Sequence, residues 1–237
     1  MENLRDKTIL LTGATKGIGR AIAQRVAREG ARLALCGRNQ SELDSLTREI
    51  AGLGAPEPVV RRFDVRDEKA LVDFYRQARE RLGAPDILIN NAGYNSRKAP
   101  LWEVETAEFD DILAVNLRAP FVLMRESFQD MKKRGSGHVV NILSTVCHFS
   151  NQTMGVYTAA KAGLRALTDI YRKEARPFDI RITSIYPGGV DTSFREAKRP
   201  DYLRPESVAE AVYAALTLPR DLVVHDFTFR PMVEINF

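Results

Sequence analysis

Ser144, Tyr157 and Lys161 have the types and spacing of an acid–base group with two assisting residues. Tyr157 follows Ser144 by thirteen residues, and Lys161 lies four residues beyond the tyrosine in a segment with a helical pattern. The Tyr and Lys side chains therefore lie one turn apart on one helix face. A phenol has an ordinary pKa of about 10, and a neighbouring ammonium favours the phenolate and lowers that pKa. Tyr157 is accordingly predicted to exchange protons near neutral pH.

This set of side chains fits hydride transfer between a carbonyl and an alcohol. Reduction of a carbonyl creates an alkoxide, which Tyr157 would protonate while the Ser144 hydroxyl hydrogen-bonds the same oxygen. A Tyr-x-x-x-Lys pair alone is a weak signal, because helix stability and chance both produce it. The interpretation therefore needs a site for a hydride donor elsewhere in the chain.

A glycine-rich turn near the start of the chain is a candidate for that site. The apolar run 8–12 leads directly into Gly13-Ala14-Thr15-Lys16-Gly17-Ile18-Gly19, and a helical pattern begins near Gly17. Glycines allow a tight turn there, and the free N–H groups of the helix start would face a pyrophosphate. The G-x-x-x-G-x-G spacing differs from the general dinucleotide fingerprint, and no Gly-Lys-Ser/Thr follows as in a P-loop. The alternative is a turn that serves packing alone. The candidate contacts are Gly13, Thr15, Lys16, Gly17, Ile18 and Gly19.

The residues after the second apolar run favour NADP(H) over NAD(H). An NAD site has an acidic residue there to bind the ribose hydroxyls, whereas this chain has Gly37 followed by Arg38. An arginine can bind a 2′-phosphate in bidentate fashion, and Lys16 could reach the same group. The alternative is that Arg38 and Lys16 are solvated surface charges.

The elements that must position these residues alternate along the chain. Apolar runs predict strands at 8–12, 33–36, 58–65, 86–90, 138–143, 180–186 and 222–229. Amphipathic segments predict helices at 17–29, 41–52, 67–82, 107–134, 153–176 and 206–217, with a kink expected at Pro120. Such alternation predicts an α/β, doubly wound (Rossmann) fold: a seven-stranded parallel sheet with helices on both faces, in a single domain over residues 1–237. Ligands of this fold bind beyond the carboxyl ends of the strands.

Composition excludes several other classes. The net charge of +4 is spread along 237 residues, which argues against nucleic acid as the main ligand. Two cysteines do not make a disulfide scaffold, and the three histidines lack metal-ligand spacing. The sequence pattern predicts neither a signal peptide nor a membrane span. The expectation is a cytoplasmic protein with no metal that binds neither membrane nor nucleic acid.

Taken in order, the motifs resemble those of the short-chain dehydrogenase/reductase family, of the single-domain TGxxxGxG and YxxxK type. The resemblance covers nearly the whole chain and rests on TGATKGIG, Asp64-Val65, Asn90-Asn91-Ala92-Gly93, Asn116, Ser144, Tyr157, Lys161 and Pro187-Gly188.

The resemblance implies a role for each of these positions. Asp64 and Val65 would bind the adenine, and Asn91, Ala92 and Gly93 would line the riboses. Asn116 would hold a water that links Lys161 to solvent, and Lys161 would also bind the nicotinamide ribose. The nicotinamide itself would lie against Pro187, Gly188, Val190 and Thr192. The family is also typically homodimeric or homotetrameric. Two alternatives stay open, because Asp64 could cap a turn and Asn116 could satisfy helix backbone.

The chain departs from the family pattern in places that concern the substrate. Leu143 precedes Ser144 where many members have a small residue, and the segment 192–205 predicts an open or mobile lid. The candidate substrate contacts are mostly apolar, which suits a neutral or mixed carbonyl compound of small to medium size. They are Tyr94, Asn95, Ser96, Cys147, His148, Phe149, Met154, Gly155, Tyr186, Phe194 and Tyr202.

Two other functions compete with an NADP(H)-dependent carbonyl reductase or alcohol dehydrogenase. A non-catalytic NADP(H)-binding sensor or scaffold would not need Asn116, Ser144, Tyr157 and Lys161 together. A nucleotide-sugar epimerase usually has a larger C-terminal domain than 237 residues allow.

Overall fold

A computed structural model describes residues 3–192, 194 and 198–235. Within them, seven strands form one parallel sheet in the order β3-β2-β1-β4-β5-β6-β7. The strands are β1 Thr8–Leu11, β2 Arg32–Gly37, β3 Val59–Arg62, β4 Ile87–Asn90, β5 Gly137–Ile142, β6 Ile180–Pro187 and β7 Asp226–Phe229. The order reverses between β1 and β4, so the carboxyl ends of these two strands flank the crevice where ligands of such folds bind.

Seven helices flank the sheet in the described part of the chain. They are α1 Gly17–Ala27, α2 Gln40–Gly52, α3 Glu68–Leu82, α4 Thr106–Leu113, α5 Ala119–Arg134, α6 Gly155–Ala175 and α7 Pro205–Thr217. The predicted doubly wound fold is therefore confirmed.

Both faces of the sheet are buried, which explains why its strands are continuous apolar runs. Successive side chains of β1 alternate between the faces: Ile9 and Leu11 belong to the core on one side, and Leu10 to the core on the other. Helices α1, α2 and α7 cover the first face, and α3, α5 and α6 cover the second. The core thus holds the strand ends of the crevice in fixed register.

Local capping sets where the helices begin. Asp67, at which the predicted helix 67–82 opens, accepts a hydrogen bond from Ala70 N–H at 3.0 Å and caps α3. At α2 the cap is Asn39, which accepts from Glu42 N–H at 3.3 Å, while Ser41 lies inside the helix. Ser41, which opens the predicted helix 41–52, is therefore not its cap, because Asn39 offers its oxygen two residues earlier.

The predicted helix 107–134 is interrupted before Pro120. A π-helical turn over Ala114–Arg118 separates α4 from α5, and Pro120 lies in the first turn of α5. Proline lacks the N–H that an α-helical bond to residue 116 would need, so the ladder widens just before it. This turn contains Asn116.

Two strands are shorter than the sequence predicts. β3 ends at Arg62 rather than residue 65, and β7 begins at Asp226 rather than residue 222. Both lie at the edges of the sheet, where pairing on one side only gives less support to marginal residues.

Within the described ranges, none of the helices combines the length and apolar character needed to span a membrane. The same ranges contain no grouping of three or more His, Cys, Asp or Glu side chains suited to a metal ion. Cys36 and Cys147 are both free thiols.

Candidate active site and dinucleotide cleft

A cleft of about 860 Å³ opens at the carboxyl ends of the strands. All of the cofactor contacts expected from the sequence line it, as do three of the four expected catalytic residues. The lining residues among those expected are Gly13, Thr15, Lys16, Gly17, Ile18, Gly19, Arg38, Asp64, Val65, Asn91, Ala92, Gly93, Ser144, Tyr157, Lys161, Pro187, Gly188, Val190 and Thr192. The fold thus gathers residues from most of the chain into one site.

The glycine turn is braced by two side chains from the neighbouring strand ends. The Thr12 hydroxyl accepts hydrogen bonds from the N–H groups of Asn91 and Ala92 at 3.1 and 3.0 Å. The Asn91 amide donates back to the carbonyls of Thr12 and Gly13 at 3.0 and 3.1 Å. These four bonds tie the end of β1 to the end of β4, so the side chain of Asn91 supports the turn.

Space at the turn admits only glycine at two positions. A Cβ on Gly19 would lie 2.1 Å from the carbonyl oxygen of Gly13. Gly13 has a φ of +66°, and its Cβ would lie 2.8 Å from the backbone of Ala92. The backbone therefore approaches the cleft closely without side chains in between, as a bound pyrophosphate requires.

The end of β2 is closed to an acidic side chain. A Cβ on Gly37 would lie 2.3 Å from the Cγ2 atom of Thr15. A side chain at Gly37, the position of the ribose-binding carboxylate in NAD sites, would therefore have to displace Thr15. The next residue, Arg38, has a side chain that is 70% exposed and lies 3.8 Å from Asp64.

Lys16 faces the same region from the turn. Its ammonium lies 3.6 Å from Glu42, and its side chain is 56% exposed. Because Lys16 and Arg38 are both largely exposed and form only long ion pairs, either can turn toward an anionic group at low cost.

Asp64 lies in the cleft and also caps the turn that follows β3. Its carboxylate accepts from the N–H and the guanidinium of Arg66 at 2.9 to 3.1 Å. Burial alone would raise the pKa of Asp64, but the hydrogen bonds from Arg66 and the nearby charge of Arg38 hold that pKa below its ordinary value. Asp64 is therefore an ionised acceptor at neutral pH, and the turn-capping alternative coexists with a place in the cleft.

Ser144 begins a short 3₁₀ turn at the end of β5. Its hydroxyl oxygen accepts from Val146 N–H at 3.3 Å, which fixes the side chain beside the strand end. The bond uses an acceptor position, so the hydroxyl proton can still be donated.

Tyr157 and Lys161 lie one turn apart on α6, as predicted. The Lys161 ammonium is 5.8 Å from the centre of the Tyr157 ring and donates to the Ile142 carbonyl at 2.8 Å. Lys161 is only 3% exposed, and this burial lowers its pKa to about 8. The Tyr157 ring is 7% exposed and lies 5.9 Å from the ring of Phe194.

Asn116 lies behind the cleft in the π-helical turn. Its side chain is fully buried and donates to the carbonyls of Tyr94 and Ile112 at 2.6 and 2.9 Å. Its oxygen accepts from Tyr94 N–H at 3.3 Å. The side chain thus secures the loop after β4 and satisfies helix backbone, as the alternative interpretation expected.

The structure divides the expected substrate contacts into two groups. Those that line the cleft are Tyr94, Asn95, Phe149, Met154, Phe194 and Tyr202. Those that do not are Ser96, Cys147, His148, Gly155 and Tyr186. The prediction that Tyr186 contacts the substrate was wrong, because Tyr186 lies on β6 with its ring fully buried in the core. The expected lid, 192–205, includes positions 193 and 195–197, which lie outside the described residues.

One wall of the cleft was missed by sequence reasoning. After β7 the chain turns back, and Arg230, Val233, Glu234 and Ile235 line the cleft beside Pro187–Val190. An Arg and a Glu four residues apart look like an ordinary surface pair in sequence. The sequence signal that could have indicated this reversal of the chain was the pair Pro231 and Met232, which lies between them.

Comparisons with known proteins agree with this geometry. A family model described as short chain dehydrogenase matches residues 7–203. An uncharacterised oxidoreductase of Staphylococcus aureus strain N315 is 32% identical over 235 residues, covering 98% of this chain and all of the relative.

Solved structures show the same fold. An alcohol dehydrogenase from the archaeon Thermococcus sibiricus, complexed with 5-hydroxy-NADP, has a TM-score of 0.89 at 30% identity, over 96% of this chain and 97% of the other. A metagenomic short-chain oxidoreductase in complex with NADP has a TM-score of 0.88 at 29% identity, over 98% of this chain and all of the other. These cofactors agree with the expectation of NADP(H), and the comparisons give no support to a non-catalytic sensor.

The matched region includes the glycine turn, Ser144, Tyr157, Lys161 and Pro187-Gly188, all of which the fold brings to one cleft. The chain is therefore an oxidoreductase that belongs to the short-chain dehydrogenase family.

Proposed function

We propose that this protein interconverts a carbonyl compound and an alcohol with NADP(H), and that Tyr157 is the acid–base group. The observation that carries the proposal is the arrangement of Tyr157 and Lys161. A buried ammonium lies 5.8 Å from the centre of a phenol ring, in a cleft that a glycine turn opens to a dinucleotide.

The cleft has the features that an NADP(H) molecule needs. Gly13 and Gly19 leave bare backbone at the start of α1, where N–H groups and the helix dipole attract a pyrophosphate. Lys16 and Arg38 would hold the 2′-phosphate, and Thr15 packs where an NAD-binding carboxylate would stand. When bound, the cofactor supplies or accepts the hydride.

The protein's own residues would handle the proton and the developing charge. Tyr157 would donate its phenolic proton to the oxygen of a carbonyl as that oxygen gains negative charge. The Ser144 hydroxyl would hydrogen-bond the same oxygen and stabilise the charge. Lys161 would stabilise the phenolate that remains, because its ammonium is held close by the bond to Ile142.

The remaining expectations from the sequence belong to this proposal. They are a small neutral or mixed carbonyl substrate, a water at Asn116 that links Lys161 to solvent, a single domain over 1–237, a cytoplasmic location and a homodimeric or homotetrameric assembly. The apolar lining of the substrate end by Phe149, Met154 and Phe194 supports such a substrate.

Turnover of a carbonyl panel tests the proposal. NADPH and NADH absorbance would be followed against ketones, aldehydes, 3-ketoacyl esters, quinones and sugars. We expect oxidation of NADPH by at least one neutral carbonyl, with NADH a poorer donor. Tight binding of NADPH without turnover of any carbonyl, or of any alcohol with NADP⁺, would contradict the assigned chemistry.

A further inference from the structure

The chain after β7 folds back onto the turn that ends β6. Gly188 N–H donates to the Phe229 carbonyl at 2.8 Å, and Gly189 N–H donates to the Glu234 carboxylate at 2.9 Å. We call residues Arg230–Ile235 the tail. The first bond holds the end of β7, and the second holds the tail against the residues proposed to contact the nicotinamide.

The Glu234 carboxylate lies where a side chain on either of two glycines would begin. A Cβ on Gly188 would lie 2.5 Å from one carboxylate oxygen of Glu234, and a Cβ on Gly189 would lie 2.8 Å from the other. The Glu234 carboxylate therefore sits directly on the backbone of this turn, at the substrate end of the cleft.

Glu234 also neutralises a buried cation. Arg230 Nε lies 3.0 Å from Glu234, and the two side chains are only 10% and 15% exposed. The Arg230 guanidinium lies 5.0 Å from the centre of the Phe149 ring, which also lines the cleft. An ion pair at this depth is screened little by solvent, so the charge of each partner depends strongly on the other.

Among the described residues, Glu234 is the carboxylate that lines this end of the cleft. Asp64 and Glu234 are the two carboxylates that line the described cleft, and Asp64 lies at the other end beside Arg38. The cations near the substrate end are Arg230, Lys161 below Tyr157 and the exposed Lys98. Removing the charge of Glu234 would thus leave this end strongly positive.

We propose that Glu234 is a specificity-determining residue that makes the site select uncharged carbonyl substrates over carboxylate-bearing ones. By pairing with Arg230 it removes the cation that would otherwise bind a substrate carboxylate, and it places a negative charge where that carboxylate would lie. The inference rests on the proposed function and adds the substrate class to it.

The test compares matched neutral and anionic ligands in the intact protein and in Glu234→Gln. The glutamine keeps one side-chain oxygen for Gly189 N–H and removes the charge, while its NH2 group replaces the oxygen that accepts from Arg230. Turnover would use benzaldehyde and 4-carboxybenzaldehyde with NADPH, and binding would use benzamide and benzoate with the NADP⁺ complex, by calorimetry. We expect the anionic-to-neutral ratio, in both kcat/KM and affinity, to rise about tenfold or more, mainly through KM.

Two further variants keep the test decisive. Arg230→Met leaves Glu234 charged, so the same ratio should fall below that of the intact protein. Asp73→Asn breaks an exposed ion pair with Lys69, also four residues apart, and should leave the ratio unchanged. A ratio that stays constant in both Glu234→Gln and Arg230→Met would overturn the proposal. If benzoate binding rises in Glu234→Gln while the intact protein turns over no carbonyl, the specificity inference stands and the proposed reaction fails.

Discussion

Lys161 carries a charge in a place where charges are costly, and this constrains how the site responds to pH. Its ammonium is 3% exposed and is held by the carbonyl of Ile142 at 2.8 Å. Burial disfavours the charged form and lowers the pKa of Lys161 to about 8. Lys161 is therefore positive at neutral pH but loses its proton within an experimentally accessible range.

Carbonyl reduction should fall above about pH 8, because Lys161 then loses the charge that supports Tyr157. The measurement is kcat/KM for NADPH-driven reduction from about pH 6 to about pH 10, which reports groups of the free enzyme. Lys161→Arg stays protonated throughout, so any activity that this variant retains should fall only at higher pH. A wild-type profile that stays flat to about pH 10 would be inconsistent with this role for Lys161.

Arg38 should decide the preference for NADPH. Replacing it with glutamine removes a charged donor without placing an acid beside Asp64, which lies 3.8 Å away. We expect the KM for NADPH to rise about 10- to 100-fold, the equivalent of about 1.5–3 kcal/mol for a hydrogen bond to a charged group, while that for NADH changes little. Arg48→Gln, on the exposed side of α2, is the matched control. An unchanged NADPH-to-NADH ratio in Arg38→Gln would remove Arg38 from the cofactor site.

At the scale of elements, the site depends on how strand ends are tied together. Thr12 at the end of β1 accepts two N–H groups from the end of β4, and Asn91 returns two bonds to the turn. The glycine turn is thus anchored to the sheet on both sides.

Thr12→Val should therefore weaken the fold as well as the site. Thr12 is 3% exposed, so the nearly isosteric valine leaves the N–H groups of Asn91 and Ala92 without their acceptor. We expect the free energy of unfolding to fall by about 2 kcal/mol, measured by urea denaturation. Thr47→Val removes a single helix-surface donor to Leu43 and should cost less than about 0.5 kcal/mol. Equal losses in the two variants would show that the Thr12 hydroxyl has no special role.

Sequence patterns predict the secondary-structure elements well where short-range interactions determine them. All seven strands follow from apolar runs, because a parallel sheet buried on both faces needs continuous apolar residues. The glycine turn and the Tyr157–Lys161 spacing follow equally from short-range rules.

The features that sequence did not predict depend on long-range contacts. Pro120 predicted the kink, but not that Asn116 in the π-helical turn would hydrogen-bond Tyr94, twenty-two residues away. The tail is held at the cleft by contacts such as that of Gly189 with Glu234, forty-five residues later. Neither contact can be predicted from the residue pattern of a single helix or strand.

At the scale of the whole molecule, the number of subunits in the assembly can be tested. Several large apolar side chains are exposed on and near α4 and α6: Leu101 at 64%, Trp102 at 86%, Phe109 at 41% and Ile170 at 50%. Apolar groups of this size often mark contacts between subunits.

Light scattering should give two or four times the chain mass of 26.6 kDa. Trp102→Glu should lower that mass at low protein concentration if this face is a subunit contact. Leu53→Glu, which changes an apolar residue 39% exposed at the end of α2, should not. A monomeric mass at all concentrations would contradict the predicted homodimer or homotetramer.

The central claim is that Tyr157 donates the proton in carbonyl reduction, and Tyr157→Phe tests it most directly. The measurement is kcat with NADPH and a reducible carbonyl, together with the dissociation constant for NADPH. Tyr171→Phe is the matched control, because Tyr171 is on the same helix but outside the cleft. We predict that Tyr157→Phe lowers kcat about 100- to 10,000-fold and leaves the dissociation constant within about twofold. Full activity in Tyr157→Phe, with NADPH bound normally, would contradict the mechanism.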